Sequence, residues 1–174
     1  AVYTPNLAMS LNNLSNRRAG TGDPAGALAA IEEAVTLYRE LAATAPAVHT
    51  PDLAASLNNL SVQRAGTGDP AGALAAIEEA VTLYRELAAT APAVYTADLA
   101  ASLNNLSNRR SGTGDPAGAL AAIEEAVTLR RELAATAPAV YTADLAMSLN
   151  NLSNRRAGTG DPAGALAAIE EAVT

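Results

Sequence analysis

Apolar positions recur along this chain with a helical period, broken by the same punctuation at fixed intervals. Leu7, Leu11 and Leu14 fall at i, i+4 and i+7, which is one stripe of a helix. Met9, Asn12, Asn13 and Asn16 occupy the opposite side, so this first helix (helix A) is apolar on one face and amide-rich on the other. A second stretch, helix B, carries a broad stripe of Leu28, Ile31, Ala34, Val35, Tyr38, Leu41 and Ala42, with Glu32, Glu33, Thr36, Arg39 and Glu40 outside it. Punctuation sets the ends. Thr4-Pro5 reads as an N-cap followed by proline at the first helical position, and Thr50-Pro51-Asp52, Thr96-Ala97-Asp98 and Thr142-Ala143-Asp144 keep the cap and add an acid. Helix A is predicted from Pro5 to Arg18 or Ala19. Gly20-Thr21-Gly22 breaks it, Asp23-Pro24 caps and starts helix B, and Ala45-Pro46 ends helix B after Thr44. The two helices form an antiparallel pair.

That pair is a repeat. The string SLNNLS begins at Ser10, Ser56, Ser102 and Ser148, a spacing of 46 residues each time. The repeats run 1–46, 47–92, 93–138 and 139–174, the last one truncated. Copies differ only at the positions of Tyr3, Pro5, Asn6, Met9, Asn16, Arg17, Ala19 and Tyr38. One pair cannot cover both apolar stripes, but stacked pairs can, so a single array of stacked units is expected, an all-α α-solenoid with a 46-residue repeat. Copies this alike come from recent tandem duplication or from deliberate consensus construction. One residue resists the pattern: Arg18, with Arg64, Arg110 and Arg156, lies on the centre of the leucine stripe. Its stem covers apolar surface and its head is expected to meet a carboxylate of helix B or of a neighbouring repeat.

Composition narrows the function. Ala occurs 44 times and Leu 22 times, both strong helix formers, and Phe, Trp, Cys and Lys are absent. Without Cys there is no disulfide framework, thiolate metal site or thiol nucleophile, and a lone His leaves no zinc cluster. No metal and no cofactor is expected. A net charge of −7 disfavours duplex DNA and anionic membrane, and basic residues are not interleaved with aromatics as a single-strand platform needs. No apolar run reaches membrane-spanning length, and no signal peptide opens the chain. The segment Gly20 to Gly26 (GTGDPAG) has the wrong spacing for a dinucleotide fingerprint and no Lys for a phosphate loop; it is an interhelical turn. Glu32-Glu33 recurs on a solvated face without a nucleophile or metal partner. The Asn-Leu-Ser triplets at Asn13, Asn59, Asn105 and Asn151 match the glycosylation pattern by accident, mid-helix. His49 takes the place of a Tyr and is a contact residue. The chain is therefore read as non-enzymatic.

Leu11, Leu14, Ser15, Gly22-Asp23, Ala27, Ile31 and Ala34 stand at the spacing of the tetratricopeptide repeat, which the whole chain resembles four times over. The segment Leu11 to Leu14 and the lengthened unit look most like the kinesin light chain class and the long arrays attached to bacterial signalling NTPases and caspase-like proteases. Two positions depart from the pattern: Arg18 stands where the family has Tyr, and Pro24 where it has an aromatic. The resemblance implies a right-handed superhelix with helix A lining a concave groove, and asparagines there that hold an extended peptide. The matching residues are Asn13, Asn59, Asn105 and Asn151, then Asn16, Asn108 and Asn154 one turn on, with Asn12, Asn58, Asn104 and Asn150 at the edge. An amide offers donors and an acceptor without fixed charge, which suits peptide backbone. Arg17, Arg109 and Arg155 at the margin add positive potential, so an acidic or carboxylate-bearing segment of a peptide or protein is the expected partner. Repeat 2 replaces the variable positions with Ala55, Val62 and Gln63, an apolar notch that reads as a side-chain pocket or as drift at a tolerant site. The bland alternative is that the whole amide face is simply solvated.

The chain starts inside a linker and stops inside helix B, with no polar capping unit, which points to a fragment of a longer array and to complementary ends able to stack head to tail. The expectation is a cytoplasmic docking or sensing segment of a larger signalling protein, and high Ala, Gly and Arg without Lys points to a GC-rich bacterial source. A self-assembling structural array and a designed scaffold are the alternatives.

Overall fold

The computed structural model describes residues 4–173. Among them are eight α-helices and no strand: α1 (Thr4–Gly20), α2 (Pro24–Thr44), α3 (Pro46–Gly66), α4 (Pro70–Thr90), α5 (Pro92–Gly112), α6 (Pro116–Thr136), α7 (Pro138–Gly158) and α8 (Pro162–Ala172). The chain groups into two compact units, Ala1–Leu87 and Ala88–Thr174. In the first, α2 packs against both α1 and α3; in the second, α6 packs against both α5 and α7, and α8 lies on α7.

Helix B runs from Pro24 to Thr44, as the punctuation predicts. Its start is a built cap. The Asp23 carboxylate accepts from the Gly26 N–H at 2.9 Å, and Asp69, Asp115 and Asp161 do the same for Gly72, Gly118 and Gly164. A Cβ on Gly72 would stand 2.0 Å from the Asp69 carboxylate, so the cap itself demands glycine. Before it, Gly22 holds φ at +80°, the left-handed region that closes helix A's C-terminus.

Helix A starts earlier than the Thr-Pro and Thr-Ala signals suggest. A single residue, Ala45 at φ −142° and ψ 71°, separates α2 from α3, and Pro46 already opens the new helix; Ala91–Pro92 and Ala137–Pro138 repeat this turn. Thr50, Thr96 and Thr142 are therefore inside helix A, not N-caps. Thr96 and Thr142 turn their hydroxyls back to the carbonyls of Pro92 and Pro138 at 2.7 and 2.8 Å, the i−4 bond that a helical threonine makes. Pro51 is tolerated within α3 near its start, where it forgoes one backbone bond. Proline at the first helical position and four helix-compatible residues after it outweigh the weaker capping signal downstream.

The core is built from small residues. Ala27, Ala30, Ile31, Ala34, Val35 and Tyr38 of α2 are buried, as are Leu53, Ala54, Leu57 and Leu60 of α3 with Ser56 and Ser61 between them. Alanine and serine at the contact let helix axes approach closely, and the same stripe recurs in α4 and α6. Leu7 and Leu14 of α1 stay 49% and 40% exposed, whereas Leu53 and Leu60, at the same positions of α3, are 7% and 4% exposed. The leucine stripe is thus the surface with which a repeat covers its predecessor.

Ionic contacts follow the same direction. All four stripe arginines reach a carboxylate: Arg18 to Asp23 (3.7 Å), Arg64 to Glu32 (3.0 Å), Arg110 to Asp115 (3.9 Å) and Arg156 to Glu124 (3.1 Å). Arg64 and Arg156 thereby tie helix A of one repeat to helix B of the preceding one. Arg39 pairs with Glu79, and Arg131 with Glu171, from helix B to helix B. These pairs are partly solvated, so each contributes no more than about 1 kcal/mol.

Gly72→Ala should lower stability by about 1–2 kcal/mol through loss of the Asp69 cap, read as a fall in thermal midpoint with the folded helicity retained. Burial, reinforced by Asp52, raises the Tyr38 pKa. A group whose folded pKa lies above its unfolded value of roughly 10 gives its stability below that pH and loses it as pH rises further. Melting between pH 8 and 11 should show this loss, and Tyr38→Phe should reduce it.

Candidate functional site: the helix A faces

Helical geometry places Asn13 with Arg17, Asn59 with Gln63, Asn105 with Arg109 and Asn151 with Arg155 at i, i+4, so each helix A presents an amide and a longer polar head on one face. The face is solvated in α1, where Met9, Asn13, Asn16 and Arg17 are exposed. The notch residue Val62 of α3 is 43% exposed, an apolar side chain open to solvent.

The asparagines are not independent of one another. In the first unit, Asn59 Nδ2 donates to Asn12 Oδ1 at 3.1 Å; in the second, Asn151 Nδ2 donates to Asn104 Oδ1 at 2.9 Å. The edge asparagine of one repeat therefore accepts from the face asparagine of the next, and Asn12 and Asn104 lie between helices more than on an open surface. Asn104 is only 7% exposed. Asn58 and Asn105 are half-buried, and each is engaged with a neighbouring group. Asn150, which is exposed, turns its amide back to the Ala146 carbonyl of its own helix at 2.9 Å. Asn154 is exposed, and Asn108 is half-buried.

The arginines divide by environment. Arg155 folds onto α5: its Nε donates to Ser107 Oγ (3.3 Å), one terminal nitrogen to Ser111 Oγ (2.9 Å) and the other to Asn108 Oδ1 (2.8 Å). All three acceptors are neutral. Arg109 is half-buried, its Nε lacks a hydrogen-bond partner, and burial depresses its pKa. Among the described residues neither they nor Arg17 has a carboxylate within ion-pair distance, while Arg18, Arg39, Arg64, Arg110, Arg131 and Arg156 do. The glutamates lie on helix B and Asp52, Asp98 and Asp144 in the first half of helix A, whereas the arginines without a carboxylate lie in the second half of helix A.

Sequence reasoning missed the amide pairing and the role of the serines. A signal was present for the latter: Ser111 stands alone where the other repeats have Ala19, Ala65 and Ala157, and it is Ser111 that receives Arg155. His49 Nδ1 lies 3.9 Å from Asp52, within its own helix. Among the described residues no three of His, Asp and Glu are placed to hold a metal ion, and no helix is long and apolar enough to cross a membrane.

Asn12→Ala and Asn59→Ala should be coupled in a double-mutant cycle by about 0.5–1.5 kcal/mol in unfolding free energy, because either change removes the same inter-repeat bond. Additive effects would mean that the pair contributes nothing.

A family model described as a tetratricopeptide repeat matches residues 7–43 and 99–134, and one described as anaphase-promoting complex subunit 5 matches residues 47–105. No curated protein sequence matches. Among solved structures, BtubC (BKLC) from P. vanneervenii superposes with a TM-score of 0.83 at 21% identity, over 98% of this chain and 63% of that one. The chain thus spans less than two thirds of that protein's length. A putative kinesin light chain of Podosopora anserina with nearly identical TPR-like repeats gives a TM-score of 0.73 at 18% identity, over 95% of this chain and 72% of that one. MamA gives 0.64 at 16% identity, over 97% and 78%. Identities this low speak for the fold, an all-α solenoid of antiparallel helix pairs.

Proposed function

We propose that the chain, which matches a tetratricopeptide repeat model over residues 7–43 and 99–134, is a kinesin-light-chain-like member of that family and a non-enzymatic scaffold whose helix A faces dock an extended, carboxylate-bearing peptide or protein segment. The observation that carries this reading is the separation of charge. Arg17, Arg109 and Arg155 lie one helical turn from face asparagines and are met by no carboxylate among the described residues, although the chain has 18 acids to supply one. An arginine held by neutral oxygens, as Arg155 is, keeps its full charge for an incoming anion. The amides beside it recognise backbone and so leave the partner's side chains free to vary. Val62 adds one apolar contact for a side chain. On this reading the array works in the cytoplasm as the docking segment of a larger signalling protein.

A second reading, head-to-tail stacking of copies, is favoured by Leu7 and Leu14, exposed on α1 where Leu53 and Leu60 of α3 are buried. Light scattering over a wide concentration range separates the two; a monomer throughout removes stacking.

Docking is tested with an array of extended peptides of graded acidity. Asn59→Ala with Asn105→Ala should weaken binding by roughly two- to tenfold per site while circular dichroism stays unchanged. Arg155→Ala should weaken it further and flatten its salt dependence. Equal binding by wild type and the double asparagine variant refutes the assignment.

A further inference from the structure

The three arginines at the margin of the helix A faces hold their charge in three different ways. Arg17 is exposed and open to water. Arg155 is half-buried, and its guanidinium is met by the Ser107 and Ser111 hydroxyls and the Asn108 amide oxygen. Arg109 is half-buried as well, yet among the described residues nothing accepts from its guanidinium. Its Nε is shut off from solvent without a partner. Burial pulls its pKa down and no acid pulls it back, in contrast to Arg130, where Asp144 does so.

The sequence accounts for the difference. Arg155 takes its acceptors from residues 48, 47 and 44 places before it. The same steps back from Arg109 reach Ser61, Val62 and Ala65, one hydroxyl where Arg155 has two hydroxyls and an amide. Two departures from the common unit, Val62 in repeat 2 and Ser111 in repeat 3, thus give Arg155 a full set of acceptors and Arg109 an incomplete one.

A guanidinium held out of water without an acceptor is costly, and an anion that reaches it offsets the cost. With Nε enclosed, the two terminal nitrogens remain for a ligand. They form a fork that fits both oxygens of one carboxylate. Charge balance favours a monoanion. One guanidinium neutralises one negative charge, whereas the second charge of a phosphate would enter a half-buried place on a chain of net charge −7.

We infer that Arg109 is the residue on these faces that binds the partner's carboxylate directly, through its two terminal nitrogens, while Arg155 attracts an acidic partner only through its long-range charge. This rests on the docking reading above and narrows it to one anchor.

The test uses Arg109→Gln and Arg155→Gln in the full chain. Gln63 already stands at this position in α3, so both variants install a residue that the fold carries and should fold. The 15N-labelled protein is titrated at constant ionic strength with acetate, inorganic phosphate, acetyl-Ala-Glu-Ala-amide, and acetyl-Ala-Ala-Ala bearing a free terminal carboxylate. The Nε–Hε signals of Arg109 and Arg155 are assigned by their loss in the respective variants. Acetate should move the Arg109 signal saturably and leave that of Arg155 in place. Arg109→Gln should weaken binding of both peptides roughly tenfold at low and high salt alike. Arg155→Gln should weaken it less, and the loss should vanish at high salt. Tighter binding of one peptide than the other tells a side-chain from a terminal carboxylate, and either supports the anchor. Equal movement of the two arginine signals, tighter binding of phosphate than of acetate, or unchanged affinity in Arg109→Gln overturns it. Saturable movement at Arg109 with no tighter binding of a longer acidic peptide leaves the anchor standing and removes the docking reading. Binding of the longer peptide that depends on Asn59 and Asn105 while the Arg109 signal stays still does the reverse.

Discussion

The whole structure depends on helix B being covered on two sides at once. α2 is packed by helix A of its own repeat and helix A of the next, and α6 is enclosed in the same way. Two helices can press on a third from neighbouring directions only if the side chains between them are short. This is what Ala27, Ala30 and Ala34 supply, each 4% exposed or less. Alanine also carries no side-chain entropy into the folded state, so close approach comes with little ordering cost. Ile31 and Val35 then fill the spaces the alanines leave. A core of this kind needs no aromatic ring, and the scarcity of aromatics follows from packing geometry.

Polar bonds do a different job. The alanine stripe is smooth, and a smooth stripe in near-identical copies could settle at more than one offset along the helix. The inter-repeat bonds Asn59–Asn12, Arg64–Glu32 and Arg39–Glu79 each require one offset only. They resemble the single buried asparagine that fixes register in a coiled coil, weak in energy and strong in specificity. The face on which the docking reading rests is in part made of these same register pins. Asn12 and Asn104 belong to the interface between helices before they belong to any ligand.

Much of this was legible in the sequence. The helix pair, its period, the limits of helix B and the carboxylate contacts of Arg18, Arg64, Arg110 and Arg156 follow from residue spacing and from the need to satisfy a charge on an apolar stripe. The start of helix A was not, because Thr50-Pro51-Asp52 is a good capping sequence considered locally. Ala45-Pro46 starts the helix first, and once turning it passes through Thr50 and Pro51 at the loss of one backbone bond. The pairing of amides was not legible either. Periodicity assigns a residue to a face but says nothing of whether a second helix lies within reach of it; that distance of about one hydrogen bond is a property of the stacking.

The one-residue junctions at Ala45, Ala91 and Ala137 have a consequence for how such a chain can change in length. With helix joined to helix through a single non-helical residue, there is no loop to absorb an insertion or deletion. One residue added within α3 would turn every later side chain of that helix by about 100° and carry Leu57 and Leu60 out of the interface. Only the three-residue turns after Gly20 and its counterparts have slack. Gains and losses of whole 46-residue units keep every stripe in phase, whereas almost any smaller change does not. The array is therefore quantised in length by its own junctions.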